Sequence, residues 1–292
     1  MKISALKKAG VILCGMILGF SLVACAKSQE STTTTTASST ESSSTAESIT
    51  TSNGNSILDV SGLLSERDLE QSPDLTNAQD IELFSGEDVT ITEEGIYVIS
   101  GTVEDVTIIV EAAAEAKVQL VLNGVSITNQ DSPAIYVKEA DKVFVTTTDS
   151  ENHMEATGTF VADGDTSLDA VIFSKSDLVL SGTGTLEIIS AQGNGVTSKD
   201  DLKVTGGTYT ITTDSDGLEA NDSIVISDGN FTFDAGKDAI HSENEEDASL
   251  GYIYIAGGTL NITAADDGIQ GTSIVQIDGG TITEITQSQM GG

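Results

Sequence analysis

The chain has 292 residues, with 46 Asp or Glu against 12 Lys or Arg, a formal net charge of −34, no Trp and two Cys. That balance excludes a nucleic-acid surface, which requires a basic face, and the one arginine, Arg67, lies near the N-terminal third's low-complexity stretch. Two cysteines, one of them in an N-terminal apolar run, exclude a disulfide framework.

Residues 1–24 have the layout of an export signal: Lys2, Lys7 and Lys8 precede an apolar run over 9–23 that is too short for a comfortable membrane span. The run ends in Leu22-Val23-Ala24-Cys25, which resembles the bacterial lipobox. The resemblance implies that Cys25 is acylated and holds the protein on the extracellular face of the cell membrane. Residues 25–75 are rich in Ser and Thr and have little to bury, so they read as a disordered tether extending into the cell wall. The folded domain is then expected over residues 76–292.

The first part of that domain, GIYVISGTVEDVTIIVEAAAEAKVQLVLNGVSIT, reads as strands of a capping end. A turn, or a short helix, is expected at 111–116. Beyond it a small motif recurs as Asp169-Ala170-Val171, Asn194-Gly195-Val196, Asp216-Gly217-Leu218, Asp238-Ala239-Ile240 and Asp267-Gly268-Ile269, with spacings of 25, 22, 22 and 29. A looser copy is Pro133-Ala134-Ile135. Between copies each unit runs strand, Gly-containing turn, strand, as in DLKVTGGTYTIT, SIVISDGNFTFD and YIYIAGGTLNIT.

Alternation of period two puts Leu202, Val204, Tyr209 and Ile211 on one face. Ile224, Ile226, Phe231 and Phe233 take the same offsets in the next unit. A unit with one apolar face has no means of covering it alone. Stacking solves this, and the pattern predicts an all-β fold: a right-handed, single-stranded parallel β-helix, a solenoid with coils of about 22 residues. Glu284 falls where the repeat expects an inward apolar residue.

In such a stack like residues lie about 4.8 Å apart, so Asn194, Asp216, Asp238 and Asp267 are expected in one vertical row. Carboxylates that close repel unless protonated or bridged by a cation. Asp214, Glu219 and Asp266 add charge beside the row, and Asp163, Asp165 and Asp169 form a second acidic group. Hard oxygen donors of this kind select calcium, although no EF-hand spacing is present. Asp and Asn before Gly also suit turns, with Gly supplying positive φ, and that simpler reading accounts for many of the Asp-Gly pairs. Bound calcium with open positions would let an acidic protein hold an acidic sugar. Of the aromatic residues, Tyr209, Phe231 and Phe233 belong to the inward face, whereas Tyr252 and Tyr254 flank inward Ile253 and are expected to point outward as ligand contacts.

The ordered phrases DAVIFSKSDLVLSGTGTLEI, NGVTSKDDLKVTGGTYTIT and DGLEANDSIVISDGNFTFDAGKDAI, with GIYVISGT and VQLVLNGVSIT, resemble a family of bacterial surface lipoproteins described as carbohydrate-binding domain-containing proteins. The resemblance covers residues 78–286. It implies a right-handed parallel β-helix similar to polysaccharide lyases, bound calcium, and affinity for plant cell-wall polysaccharides including acidic sugars.

Three functions follow. One is a non-catalytic, calcium-assisted binder of polysaccharide such as polygalacturonate, with cellulose as another ligand. A second is a calcium-dependent uronan lyase, for which Lys237, beside Asp238, is the candidate base. The third is a structural or adhesive surface protein stiffened by calcium.

Overall fold

The computed structural model describes residues 47–49 and 58–286. The expected signal at 1–24, Cys25 and most of the tether lie outside them. The described chain is a parallel β-helix with three sides. Val89–Ile91, Ile108–Glu111, Ile135–Glu139, Ala170–Ser174, Asn194–Ser198, Leu218–Ala220, Ile240–Ser242 and Ile269–Gly271 form an eight-stranded sheet, the first side.

The second and third sides join into one 16-stranded sheet because two long strands, Gly95–Glu104 and Lys117–Asn129, run along both. The first half of Lys117–Asn129 pairs with Lys142–Thr147 and its second half with Glu151–Ala156. The second side continues through Asp177–Gly182, Asp201–Val204, Ser223–Ile226, Tyr252–Ile255 and Val275–Ile277. The third continues through Thr185–Ser190, Thr208–Thr213, Asn230–Ala235, Thr259–Ala264 and Thr281–Thr286. All these pairings are parallel. The residues expected to face inward do so: Leu202, Ile224 and Ile253 stack in register and are fully buried.

Aromatic rings fill the third-side wall of the core. Tyr209 stacks on Phe231 with ring centroids 5.1 Å apart, and Phe231 on Phe233 at 5.4 Å. The Tyr209 hydroxyl donates to the Gly206 carbonyl at 2.9 Å, which meets the need of a buried phenol. Burial pushes that phenol above its ordinary range.

The glycines divide into two kinds. Gly207, Gly229, Gly258 and Gly280, each the second residue of a turn between second and third sides, have φ of 97°, 134°, 94° and 95°. That is the left-handed region that favours glycine. The glycine after Asp216 has a different reason to be there. Gly217 is not left-handed, but a Cβ on it would sit 2.5 Å from the Ala239 carbonyl oxygen and 2.8 Å from Phe233 Cδ1. Close approach, not positive φ, therefore fixes this position.

The turn expected at 111–116 is present, closed by Ala116 N–H to the Ala113 carbonyl. Three sequence expectations need correction. The Asp169 copy of the motif is one residue out of step, because Ala170 and not Asp169 pairs with Asn194. Tyr254 points outward yet is only 9% exposed, and Tyr252 is half-buried, so neither is an open sugar platform.

The third correction explains the second. Residues 58–75, expected in the tether, pack on the second side. Its outward row, Phe144, Val179, Lys203, Val225 and Tyr254, is largely apolar and needs a cover. The segment supplies it: the Arg67 guanidinium lies 4.6 Å over the Phe144 ring, and buried Asp68 pairs with Lys142 at 3.3 Å. Gln71 accepts from Gly182 N–H at 2.8 Å and donates to the Thr205 carbonyl at 3.1 Å. An apolar outward row is the sequence signature that this segment answers.

At the far end Glu284 does occupy an inward register, opposite Ile262, where its carboxylate accepts from Gly268 N–H at 3.2 Å. Strand Glu47–Ile49 pairs antiparallel with Thr281–Thr286 and meets that edge of the third side.

Two outcomes are expected. Phe231→Ala opens a cavity between two stacked rings and should cost about 3–5 kcal/mol, read from urea unfolding. Asp68→Ala leaves Lys142 without its most buried partner. It should free the 58–75 segment at a cost of about 3 kcal/mol, seen as loss of hydrogen-exchange protection at the Gly182 amide.

Candidate cation site on the edge between the third and first sides

The recurring Asp or Asn lies in the turn that leads from the third side to the first, and consecutive turns superpose because the strands before and after them are in register. The row expected from the repeat is present. Asp216 N–H donates to Asn194 Oδ1 at 2.9 Å, Asp238 N–H to Asp216 Oδ1 at 3.0 Å, and Asp267 N–H to Asp238 Oδ1 at 2.7 Å. Each side chain thus satisfies an amide in the next coil that no strand ladder reaches. One oxygen of Asp216 and one of Asp238 are committed to the fold, leaving the second for other chemistry.

The two ends of the row differ. At the upper end Glu219 accepts from Asn194 Nδ2 and from Lys199 Nζ, the latter at 3.2 Å. Lys199 also reaches Asp169 Oδ2 at 3.5 Å. Burial pushes the Glu219 carboxyl up, and Lys199 opposes the shift. This end is internally neutralised, so Glu219 is withdrawn from any cation below it.

At the lower end the carboxylates converge without such a partner. Asp238, Asp266 and Asp267 bring oxygens within 4.8 Å of one another, and Asp216, Asp238 and His241 do the same with a ring nitrogen included. Burial first, then the nearby Asp216 and Asp266 charges, push the Asp238 carboxyl up. None of Asp238, Asp266 or Asp267 enters an ion pair among the described residues. The first trio offers oxygen alone, the donor set of a hard cation such as calcium. The second mixes imidazole with carboxylate and suits a transition metal better. His241 was not proposed as a ligand from sequence; the available signal was its register opposite Glu219, which the structure has.

Other expected ligands lie elsewhere. Asp214 is exposed on the same turn and belongs to neither trio. Asp163 binds Lys138 at 2.7 Å and Tyr136 at 3.3 Å, Asp165 is exposed, and Asp169 faces Lys199. These three therefore form no common site. Lys237 is exposed beside the row, without the burial by which lysine bases are made.

His241 carries a pH dependence with a definite sign. The hydrogen bond that protonated His241 Nδ1 donates to Asp216 Oδ2, at 3.4 Å, raises its pKa. The stability this pair contributes is complete below the ordinary histidine value of about 6.5 and is lost as pH rises through the raised value. In chelator, His241→Gln is expected to flatten the fall in melting temperature across that window.

Comparison with known proteins identifies the family. Residues 85–291 match the family model described as carbohydrate-binding domain-containing protein. A protein of that description from Acetivibrio thermocellus (strain ATCC 27405) is 44% identical over 210 residues, which is 70% of this chain and 73% of the relative. The solved structure of the polysaccharide lyase-like protein from C. thermocellum, a gadolinium derivative, aligns with a TM-score of 0.62 at 32% identity, over 71% of this chain and 94% of that one. On that family match and that identity, the chain belongs to the family of carbohydrate-binding domain-containing proteins.

Proposed function

We propose that the protein is a non-catalytic surface lipoprotein, anchored through Cys25, that holds acidic polysaccharide such as polygalacturonate through calcium at Asp238, Asp266 and Asp267. The observation that carries this reading is the convergence of three carboxylates with no ion-pair partner among the described residues, on an edge of the coil stack where a ligand has access. A cation there offsets their repulsion, and its open positions take a carboxylate of the polymer. Without the cation, a chain of net charge −34 repels a uronan. That the related structure is a gadolinium derivative is in keeping with a hard cation on this fold. A lyase would need a base, and exposed Lys237 is poorly placed to become one.

The test uses the chain from residue 26 onward in gels containing polygalacturonate, with calcium or with EDTA. Retardation that EDTA abolishes, without unsaturated products absorbing in the ultraviolet, is the expected result. Unsaturated product would establish the lyase instead, and equal mobility in every gel would leave calcium with a stiffening role.

Two further outcomes follow. Calcium at 100 times its dissociation constant should stabilise the wild type by about 2.7 kcal/mol, and Asp238→Asn with Asp267→Asn should remove both that gain and the retardation. Asp163→Asn should leave the calcium response unchanged, because Asp163 is engaged with Lys138.

A further inference from the structure

One lysine on the outward face of the first side is placed for covalent chemistry that involves neither calcium nor sugar. Lys199 follows strand Asn194–Ser198, and its Nζ lies 3.5 Å from Asp169 Oδ2 and 3.2 Å from Glu219 Oε1. The three residues come from three successive coils, Asp169 just before the strand above and Glu219 within the strand below. Fully buried Phe173 lies 5.6 Å from the ammonium and packs edge-on against Tyr136, so apolar surface keeps water from that side. Asn194 Nδ2 donates to the other Glu219 oxygen and holds that carboxyl in place.

Ion pairing does not account for all of this cluster. Lys142 also sits between two carboxylates, Asp68 and Asp177, yet both Asp68 oxygens are satisfied, one by Lys142 and the other by the Ser65 amide at 2.9 Å. Asp169 differs. Its Oδ1 is buried and accepts no hydrogen bond among the described residues. A buried carboxylate oxygen left in that state is costly. Condensation with the lysine would remove the charge and expel one of the two oxygens.

We propose that Lys199 and Asp169 are joined by an amide bond between Nζ and Cγ, formed within the folded chain with Glu219 transferring the proton. The ammonium first passes one proton to the Asp169 carboxylate, which leaves a neutral amine and a neutral acid. The Nζ lone pair then attacks Cγ and forms the N–C bond. Glu219 takes a second proton from the nitrogen and delivers it to the departing hydroxyl, the C–O bond breaks, and one water leaves. Glu219 ends as it began, and no oxidant, reductant or co-reactant enters the balance. Burial favours the protonated Glu219 carboxyl, against the opposing effect of Lys199, which suits a group that holds a proton in transit. Amine and acid do not condense to any extent in bulk water, but two groups held in contact gain an effective concentration of roughly 10⁵–10⁸ M when well oriented, more than that of the water opposing them.

The bond ties consecutive coils. Solenoid units touch only their neighbours, so a covalent link between two of them resists fraying and constrains the unfolded chain as a disulfide does. The two cysteines, Cys14 and Cys25, both precede the folded domain and leave that role open.

The experiment is the intact mass of the chain from residue 26 onward, purified folded and followed over days, with proteolytic fragments sequenced by tandem mass spectrometry. The wild type is expected to be lighter than its sequence by one water and to yield a branched peptide joining Asp169 to Lys199. Lys199→Arg, which keeps the charge, and Asp169→Ala should both have the full mass and a lower melting temperature. Glu219→Gln, which keeps the shape but carries no proton, should also have the full mass, and a branched peptide in it would overturn the role given to Glu219. A wild type that stays at full mass would overturn the bond itself. So would a water loss that persists in Lys199→Arg, since dehydration at an Asp-Gly pair gives the same mass without a branch. The branched peptide is read on the wild type, so the result stands even where a variant does not fold.

Discussion

Register is the constraint on which this structure depends. Parallel pairing holds each residue against its counterpart in the next coil at about 4.8 Å, so any property of one position is repeated along the axis. Inward positions then make a continuous core from units that have none of their own, as in the row Leu178, Leu202, Ile224 and Ile253. Rings stack for the same reason, Tyr209 on Phe231 through their shared register. The contacts are local along the axis and distant in sequence.

The same constraint turns a turn residue into a ladder. Asn194, Asp216 and Asp238 each accept the amide of the residue one coil further on, so the row is part of the fold before it is part of any site. Its charge is then managed differently along its length. Lys199 and Asn194 engage Glu219 at one end, while Asp238, Asp266 and Asp267 meet without a lysine partner among the described residues at the other. Structure and candidate function share the same carboxylates through different oxygens.

The three sides have separate fates for equally plain reasons. The second has an apolar outward row and is covered by residues 58–75, with Asp68 and Arg67 supplying specific contacts. The third has a polar outward face and needs no cover. The edge between third and first sides concentrates negative charge. A solenoid gives each of these surfaces the same length and spacing, so side-chain chemistry alone distinguishes them.

How much of this was legible follows from what repeats. The β-helix, its inward residues and the Asp row were determined by the sequence, because a residue every coil at a fixed offset can be read without knowing what it touches. The reading failed where a partner lies outside the repeat. Residues 58–75 look like a tether because they follow the Ser- and Thr-rich stretch and lie outside the repeat, and the folded second side shows the apolar row, with Tyr254 in it, that they cover. Asp169 matched the motif by letter but stands one residue off the row, since strand pairing and not spelling sets register. Whether an acidic residue meets a lysine, as Asp163 and Glu219 do, or other carboxylates and His241, as Asp238 does, was decided only by the tertiary structure. Charge pairing depends on side-chain positions in neighbouring coils and loops, and distance in space, not order in the chain, fixes which charges meet.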